Sequence, residues 1–541
     1  MCVNIFGRAK QWRGGVGTVH TASARAPIVR HGVISGTILP MQATSTMQTG
    51  GTILRLTRGG LAAALVATLA WALATQDLRL LLGLALLTAG AIFAIRAPWL
   101  VWAAIGAALP FAAAYKFGVV SLLDVALLAA FGLWFINGVR KGSLQLVHCA
   151  PTVLALVYSI LLLIASIGAR DLQQALAEVI KWVQFAAVIA ILPVVVDRGR
   201  VHWVVLGVLA GATAQAAFGL YQFVFRIGPE WFVVLGRYMR ASGTFAQPNP
   251  FAGYLGLVLP AAVSLTIHAL GELVRDRRAW RLWLWAGVLS AATLVIAAGL
   301  LASWSRGGWL AAAAAGAVVI ALQGRRAALV VGVGGMVVGI LLLAGSVSPN
   351  LLPEPVAARL QEIPAFMGSA EMLNQEVNDG NFAVIERLAH WEAAKRMFAM
   401  SPWLGVGPGN YAAVYPDVRM PLWSEALGHA HNYYLNALAE SGALGFTAFL
   451  LLWGGTAIWV LRRIFAFRAT LPVDMFGAAL GVGVVGVLVH LATHSIVDNL
   501  MVQGMYVQVA LWIALLQACQ NPRKAERGRE ATAGTIVPAH P

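Results

Sequence analysis

Long apolar stretches separated by short polar links follow one another along most of the chain. Most of them approach the length of about 20 residues that a helix needs to cross a bilayer. We therefore predict an all-α, polytopic membrane bundle of about fourteen transmembrane helices. These lie near residues 61–75, 78–95, 98–114, 119–137, 150–167, 178–196, 201–224, 251–270, 281–302, 306–322, 326–345, 432–461, 473–493 and 500–518.

Two longer polar segments interrupt this pattern, at 225–250 and at 346–430. The second contains apolar positions at helical spacing between Phe382 and Met400, which predicts an amphipathic helix there. Glycine and proline are frequent in the following residues 401–411, which predicts a tight turn. A loop of this length with its own helix is expected to fold as a small, partly helical external cap.

Composition divides the chain into four regions. Residues 1–58 are basic and lack the apolar core of a secretory signal, so we expect disorder there, or a true initiator at Met41 or Met47. Residues 59–224 form an N-terminal group of spans, and residues 225–520 a second group that includes the loop 346–430. Residues 521–541 are expected to be a disordered cytoplasmic tail.

Charge determines the predicted orientation. The chain is 59% hydrophobic and only 11% charged, which excludes a soluble domain, and its net charge of +16 is spread over short links. We therefore predict a bilayer as partner and no nucleic acid. Because the cations fall mostly on one side of the threading, that side and both termini are predicted to be cytoplasmic. The segments 225–250 and 346–430 then face the exterior.

Three outward-facing features carry candidate chemistry: the Arg237 and Arg240 pair, Arg306 in a short turn, and His431 at the start of a helix. A guanidinium binds phosphate oxygens in a bidentate way, and a neutral imidazole can take a proton from a hydroxyl. Arg240, Arg306 and His431 together fit a diphosphate-linked lipid substrate. Binding to lipid headgroups is the alternative, and we prefer it for Arg226 and Arg237.

Other polar residues near these positions are weighed in the same way. Asn432, Glu440, Arg387 and Asn410 are predicted to support the site, although Glu440 equally fits a purely structural role. His429 is interpreted as a loop or capping residue, because a His-X-His pair without a third ligand is weak evidence for metal. His494 and Asp498 either join the site or terminate a helix. No metal and no cofactor are predicted, and thiolate zinc ligation is excluded in the long loop because it contains no cysteine.

The histidine motif resembles that of a known family. His431-Asn432, nine further residues and then Gly442-Ala443-Leu444-Gly445 are similar to the His-[Asn/Ser/Gln]-x9-Gly-x-x-[Gly/Thr/Tyr] motif of bacterial O-antigen ligases. Three further segments resemble the wider ligase and polymerase superfamily. These are Ser305-Arg306-Gly307, the glycine-rich residues 405–410, and residues 243–249.

The resemblance implies a metal-independent, inverting glycosyltransferase of the GT-C type in the bacterial inner membrane, with its active site facing the periplasm. Such an enzyme moves a glycan from undecaprenyl diphosphate to an acceptor hydroxyl during lipopolysaccharide or surface polysaccharide assembly. Carried over by position, Arg240 and Arg306 resemble diphosphate-binding arginines, and His431 resembles the catalytic histidine. An O-antigen or exopolysaccharide polymerase, which uses a glycan acceptor, and a protein O-oligosaccharyltransferase remain open. A transporter of lipid-linked sugars is less favoured, because the sequence lacks an internal repeat and most spans lack charges near their centres.

Overall fold

The computed structural model describes residues 90, 94–117, 120–234, 236–347, 373, 376–377, 381–470 and 474–520. All of them belong to one unit, Leu87–Pro541. The predicted segment 1–58, the initiator alternatives, the run 61–75, most of the run 78–95 and the tail 521–541 lie outside these residues. Most of the first part of the predicted external loop, from 348 to 380, also lies outside them.

Helices account for nearly all regular structure in the described residues, in agreement with the predicted all-α class. The first group comprises α1 Pro98–Ala112, α2 Leu122–Arg140, α3 Ala150–Ala165, α4 Leu172–Val195 and α5 Val201–Phe225. The second comprises α6 Pro248–Gly256, α7 Leu259–Arg275, α8 Trp280–Ala302, α9 Arg306–Ala321 and α10 Arg325–Val347. The third comprises α11 Phe382–Met400, α12 Tyr411–Val418, α13 Tyr433–Ala469, α14 Met475–His494 and α15 Met505–Ala518.

Two short antiparallel strand pairs complete the described secondary structure. Strand β1 Lys116–Phe117 pairs with β2 Val120–Ser121 before α2. Strand β3 Val233–Val234 pairs with β4 Tyr238–Met239 between α5 and α6, with Val233 opposite Met239. The second pair folds the predicted polar segment 225–250 back on itself, directly before Arg240.

The chain is a multi-pass membrane protein. Eight helical stretches in its described part are long and apolar enough to cross a membrane, and α1, α9 and α15 are shorter apolar helices. The predicted total of about fourteen spans stays a prediction. The helix predicted inside the long loop is present as α11, with the predicted bounds Phe382–Met400.

Helices α14 and α15 lie at the centre of the bundle. Helix α14 packs against α7, α9 and α13, and every residue of α15 is buried. Small residues permit this close packing: a Cβ on Gly483 of α14 would lie only 2.7 Å from the Cα of Ala261 in α7. At 14 residues, α15 is too short to cross a bilayer by itself. The irregular residues 495–504 precede it and lie within the protein, where their backbone polar groups can find partners.

Several irregular segments meet at one end of the bundle, which we call the loop end: residues 226–247, 303–305, 401–432 and 495–504. The backbone N–H of Ala241 donates to the carbonyl of Ala302 at 2.9 Å, and that of Tyr433 donates to the carbonyl of Ser495 at 2.8 Å. These bonds join links that are far apart in sequence. All candidate site residues predicted from the sequence lie at this end or in the first turns of α11 and α13.

Candidate active site

Arg240 is held firmly at the loop end by backbone and side-chain contacts. Its Nε donates to the carbonyl of Ser303 at 3.0 Å, and its Nη2 donates to Oδ1 of Asn249 at 2.9 Å. Burial, together with the smaller effects of the charges of Arg387 and Arg306, lowers the pKa of Arg240 to about 10. Arg240 therefore remains a cation at neutral pH, in a site that already contains positive charge.

Arg237 differs from Arg240 in both exposure and contacts. Its side chain is exposed and its guanidinium lies 5.5 Å from the centre of the Tyr238 ring. This geometry is typical of a surface cation that stacks on an aromatic ring. The two arginines thus differ in burial and in the groups that they contact.

Arg306 is the first residue of α9 and follows a strained turn. Trp304 has a φ of 54°, and Ser305 caps the helix by accepting from the backbone N–H of Gly308 at 3.4 Å. A Cβ on Gly307 would lie 2.6 Å from Cγ2 of Val497, so the helix start is packed tightly against the link 495–504. Because Gly307 has no side chain, the start of α9 can pack this closely, and this packing sets the position of Arg306.

Arg387 places a third guanidinium near the other two. It lies on α11 and is half-buried, and its charge lowers the pKa of both Arg240 and His431. Like charges in one partly buried site oppose one another, and a bound anion relieves that repulsion. The arrangement therefore favours a ligand with more than one negative charge.

His431 precedes α13, whose N-cap is Asn432. The Asn432 side chain accepts from the backbone N–H of Tyr434 at 3.0 Å and of Leu435 at 3.1 Å. His431 itself has a φ of 50°, in the left-handed region that a non-glycine residue rarely adopts. Both of its ring nitrogens are buried without a hydrogen-bond partner among the described residues. Neither ring nitrogen of His431 is therefore committed to a hydrogen bond with another described residue.

Electrostatics keeps the His431 imidazole neutral. Burial, followed in size of effect by the neighbouring His429, Arg387 and His390, lowers its pKa to about 2. A neutral imidazole can accept a proton. Because the ring nitrogens of His431 are buried, they are shielded from bulk water.

His390 is a neighbour of His431 that the sequence did not indicate. It is buried on α11, its ring stacks on Tyr415 with centroids 4.9 Å apart, and its Nδ1 lies 3.1 Å from the hydroxyl of Tyr411. Its ring meets that of His431 edge-on at 5.6 Å, and burial lowers the pKa of His390 to about 4. His390 comes to lie beside His431 only when α11 packs against α12 and the other segments of the loop end.

His429 and Asp498 also lie beside His431. Nδ1 of His429 accepts from the backbone N–H of His431 at 3.1 Å, which agrees with its interpretation as a capping residue. Its Nε2 is 3.9 Å from Oδ1 of Asp498. One potential ligand atom from each of His429, His431 and Asp498 lies within 4.8 Å of the other two. Asp498, left open by the sequence, thus lies beside His429 just after the end of α14.

Three of the four predicted supporting residues hold the backbone around the site. Asn432 is the N-cap described above. The Asn410 amide exchanges hydrogen bonds with the backbone of Asp171, at 2.6 Å to its N–H and 3.0 Å to its carbonyl. The Glu440 carboxylate accepts from the backbone N–H of Tyr411 at 3.1 Å. Among these candidates, Arg387 alone has a charge that affects His431.

The glycine of the histidine motif has a structural explanation. Gly442 has a φ of 62° and a ψ of −169°, which interrupts α13. The Ala443 N–H consequently donates to the carbonyl of Pro402 at 2.8 Å, and a Cβ on Gly442 would lie 2.4 Å from the carbonyl of Trp403. The motif therefore encodes a capped helix start at Asn432 and a break about two and a half turns later.

Residues 291–450 match the family model described as O-antigen ligase. The match confirms the predicted resemblance to the O-antigen ligase superfamily. It includes Arg306, Arg387 and His431 and covers less than a third of the 541-residue chain, and Arg240 lies before it. No curated protein matches the chain. This part of the chain is thus similar to membrane enzymes of the O-antigen ligase or polymerase type.

Proposed function

We propose that the protein transfers a glycan from undecaprenyl diphosphate to an acceptor hydroxyl at the outer face of the bacterial inner membrane. The observation that supports this most is the meeting of Arg240, Arg306 and Arg387 with a neutral His431 at the loop end. Three cations suit the diphosphate of the donor, and the imidazole suits the proton of the acceptor.

The proposed reaction is a direct displacement at the anomeric carbon. His431 removes the acceptor hydroxyl proton while the acceptor oxygen forms a bond to the anomeric carbon. The bond from that carbon to the diphosphate oxygen breaks, and the electron pair leaves with undecaprenyl diphosphate. Arg240 and Arg306 stabilise the negative charge that develops on the leaving group, and Arg387 adds to the same positive potential. Attack opposite the leaving group inverts the anomeric configuration.

The experiment is glycan transfer in proteoliposomes that contain an undecaprenyl diphosphate glycan and a lipid-core acceptor. We expect His431→Ala and Arg306→Ala to abolish transfer, because they remove the proposed base and a diphosphate ligand. Arg237→Ala serves as the matched control, since Arg237 is exposed and stacks on Tyr238. Wild-type transfer by both His431→Ala and Arg306→Ala would contradict the proposal.

The product also identifies the acceptor. A ligase adds one glycan to the lipid core, whereas a polymerase produces a ladder of repeats on a growing glycan. A glycan attached to a protein would indicate a protein O-oligosaccharyltransferase. The same reconstitution distinguishes these alternatives.

A further inference from the structure

We propose that His429 is a positioning residue that holds His431 in the backbone conformation required for proton removal. This inference rests on the proposed role of His431 as the base. It starts from the hydrogen bond between Nδ1 of His429 and the backbone N–H of His431, at 3.1 Å. The bond joins a side chain to the backbone two residues later, as in the turns that Asn and Asp side chains form.

The backbone that this bond holds is strained. His431 has a φ of 50°, and its side chain is not glycine, so the left-handed conformation must be imposed by its surroundings. On one side of it, Asn432 fixes the start of α13. On the other side, the His429 side chain is the group that fixes the His431 N–H.

Contacts on its opposite edge fix the His429 ring. Nε2 of His429 faces Oδ1 of Asp498 at 3.9 Å. Asp498 is held at the end of α14, where its N–H donates to the carbonyl of His494 at 3.1 Å and its Oδ1 accepts from the N–H of Asn499 at 2.8 Å. The Asp498 carboxylate, held after the end of α14, therefore faces the Nε2 edge of the His429 ring.

The hydrogen bond also determines the tautomer of His429. Because Nδ1 uses its lone pair to accept from His431, the proton of the neutral ring is on Nε2 and is directed towards Asp498. In this tautomer neither nitrogen of His429 offers a lone pair to an acceptor hydroxyl. The free nitrogens belong to His431, whose ring lies perpendicular to that of His429, with centroids 4.5 Å apart.

Two amide substitutions test the inference. His429→Asn offers an oxygen that can accept from the N–H two residues later, whereas His429→Gln places the same amide one methylene further away. We expect His429→Gln and His429→Ala to lower kcat about 100-fold, the effect of misplacing a catalytic group by about 1 Å. We expect His429→Asn to recover kcat to within about 10-fold of wild type. The donor KM should change little in all three, because the arginines remain in place.

Exposed His148→Ala is the control for loss of a histidine, and size-exclusion profiles in detergent check that each variant folds. Equal losses in His429→Asn and His429→Gln would overturn the inference, since the imidazole itself would then be required. Wild-type kcat in His429→Gln would also overturn it. An inactive wild-type protein would instead refute the proposed function, so the two failures are distinguishable.

Discussion

At the scale of single residues, the charges around His431 control when its imidazole can accept a proton. Its pKa is lowered to about 2, first by burial and then by His429, Arg387 and His390. Activity requires the neutral imidazole and is lost as the pH falls through this pKa. A bound diphosphate places negative charge beside Arg387 and so raises the pKa of His431 in the complex.

The pH dependence of kcat/KM reports the free enzyme and that of kcat reports the complex. We therefore expect the acid limb of kcat/KM to lie well below the ordinary histidine value of about 6.5, and the acid limb of kcat to lie at higher pH. Steady-state transfer rates between about pH 4 and pH 8 should therefore show a flat kcat/KM, because the limb of the free enzyme lies below this range, and a kcat that falls towards its acid end. A kcat that is equally flat down to about pH 4 would contradict the expectation that the donor raises the pKa of His431.

The sequence predicted those candidate site residues whose chemistry is unusual for their location. Arg240, Arg306 and His431 could be predicted because cations and a histidine at the outer boundary of a membrane require a reason. His390 could not, because on α11 it occupies an ordinary helical position and becomes a neighbour of His431 only after folding. The contact between His429 and Asp498 was hidden for the same reason, since α13 and α14 separate the two residues in sequence.

At the scale of elements, the break in α13 joins the histidine motif to the glycine-rich segment after α11. Gly442 adopts a φ of 62°, and a Cβ there would lie 2.4 Å from the carbonyl of Trp403. We expect Gly442→Ala to lower the free energy of unfolding by about 2–4 kcal/mol, from backbone strain and steric overlap together.

The matched control for this substitution is in the same helix. Gly454 of α13 has no atom within 4 Å of an added Cβ, so Gly454→Ala should leave stability unchanged or raise it slightly. Thermal unfolding of the purified variants in detergent measures both effects. An unchanged melting temperature for Gly442→Ala would show that the break in α13 is not required.

Hydrophobic runs located the helices but not their irregularities. The runs near 150–167, 281–302 and 306–322 correspond closely to α3, α8 and α9. The run 500–518 predicted a longer helix than α15, because buried irregular backbone before Met505 is as apolar as a helix. The break at Gly442 was also invisible to hydropathy, since a helix interrupted by one glycine keeps its composition.

At the scale of the whole molecule, the two ends of the bundle differ in the groups that surround their cationic side chains. At the end opposite the loop end, Arg198 pairs with Asp474 at 2.9 Å, and Arg468 donates to the carbonyl of Leu322 at 2.7 Å. Arg275 at the end of α7 also lies there, as do Arg277 and Arg278 in the link between α7 and α8. At the loop end, by contrast, the charges of Arg306 and Arg387 act on Arg240, and that of Arg387 also acts on His431. Cations in short links at one end are typical of a cytoplasmic face.

The positive-inside rule therefore predicts that the loop end faces the exterior, where a lipid-linked glycan would reach His431. Single cysteines at exposed positions test this orientation: Arg237→Cys at the loop end and Arg277→Cys at the opposite end. The native Cys149 and Cys519 are buried and free, and Cys2 is replaced by serine in both variants. We expect a membrane-impermeant maleimide to label Arg237→Cys in intact spheroplasts and to label Arg277→Cys only after lysis. The reverse pattern would place His431 on the cytoplasmic side and would exclude transfer at the outer face.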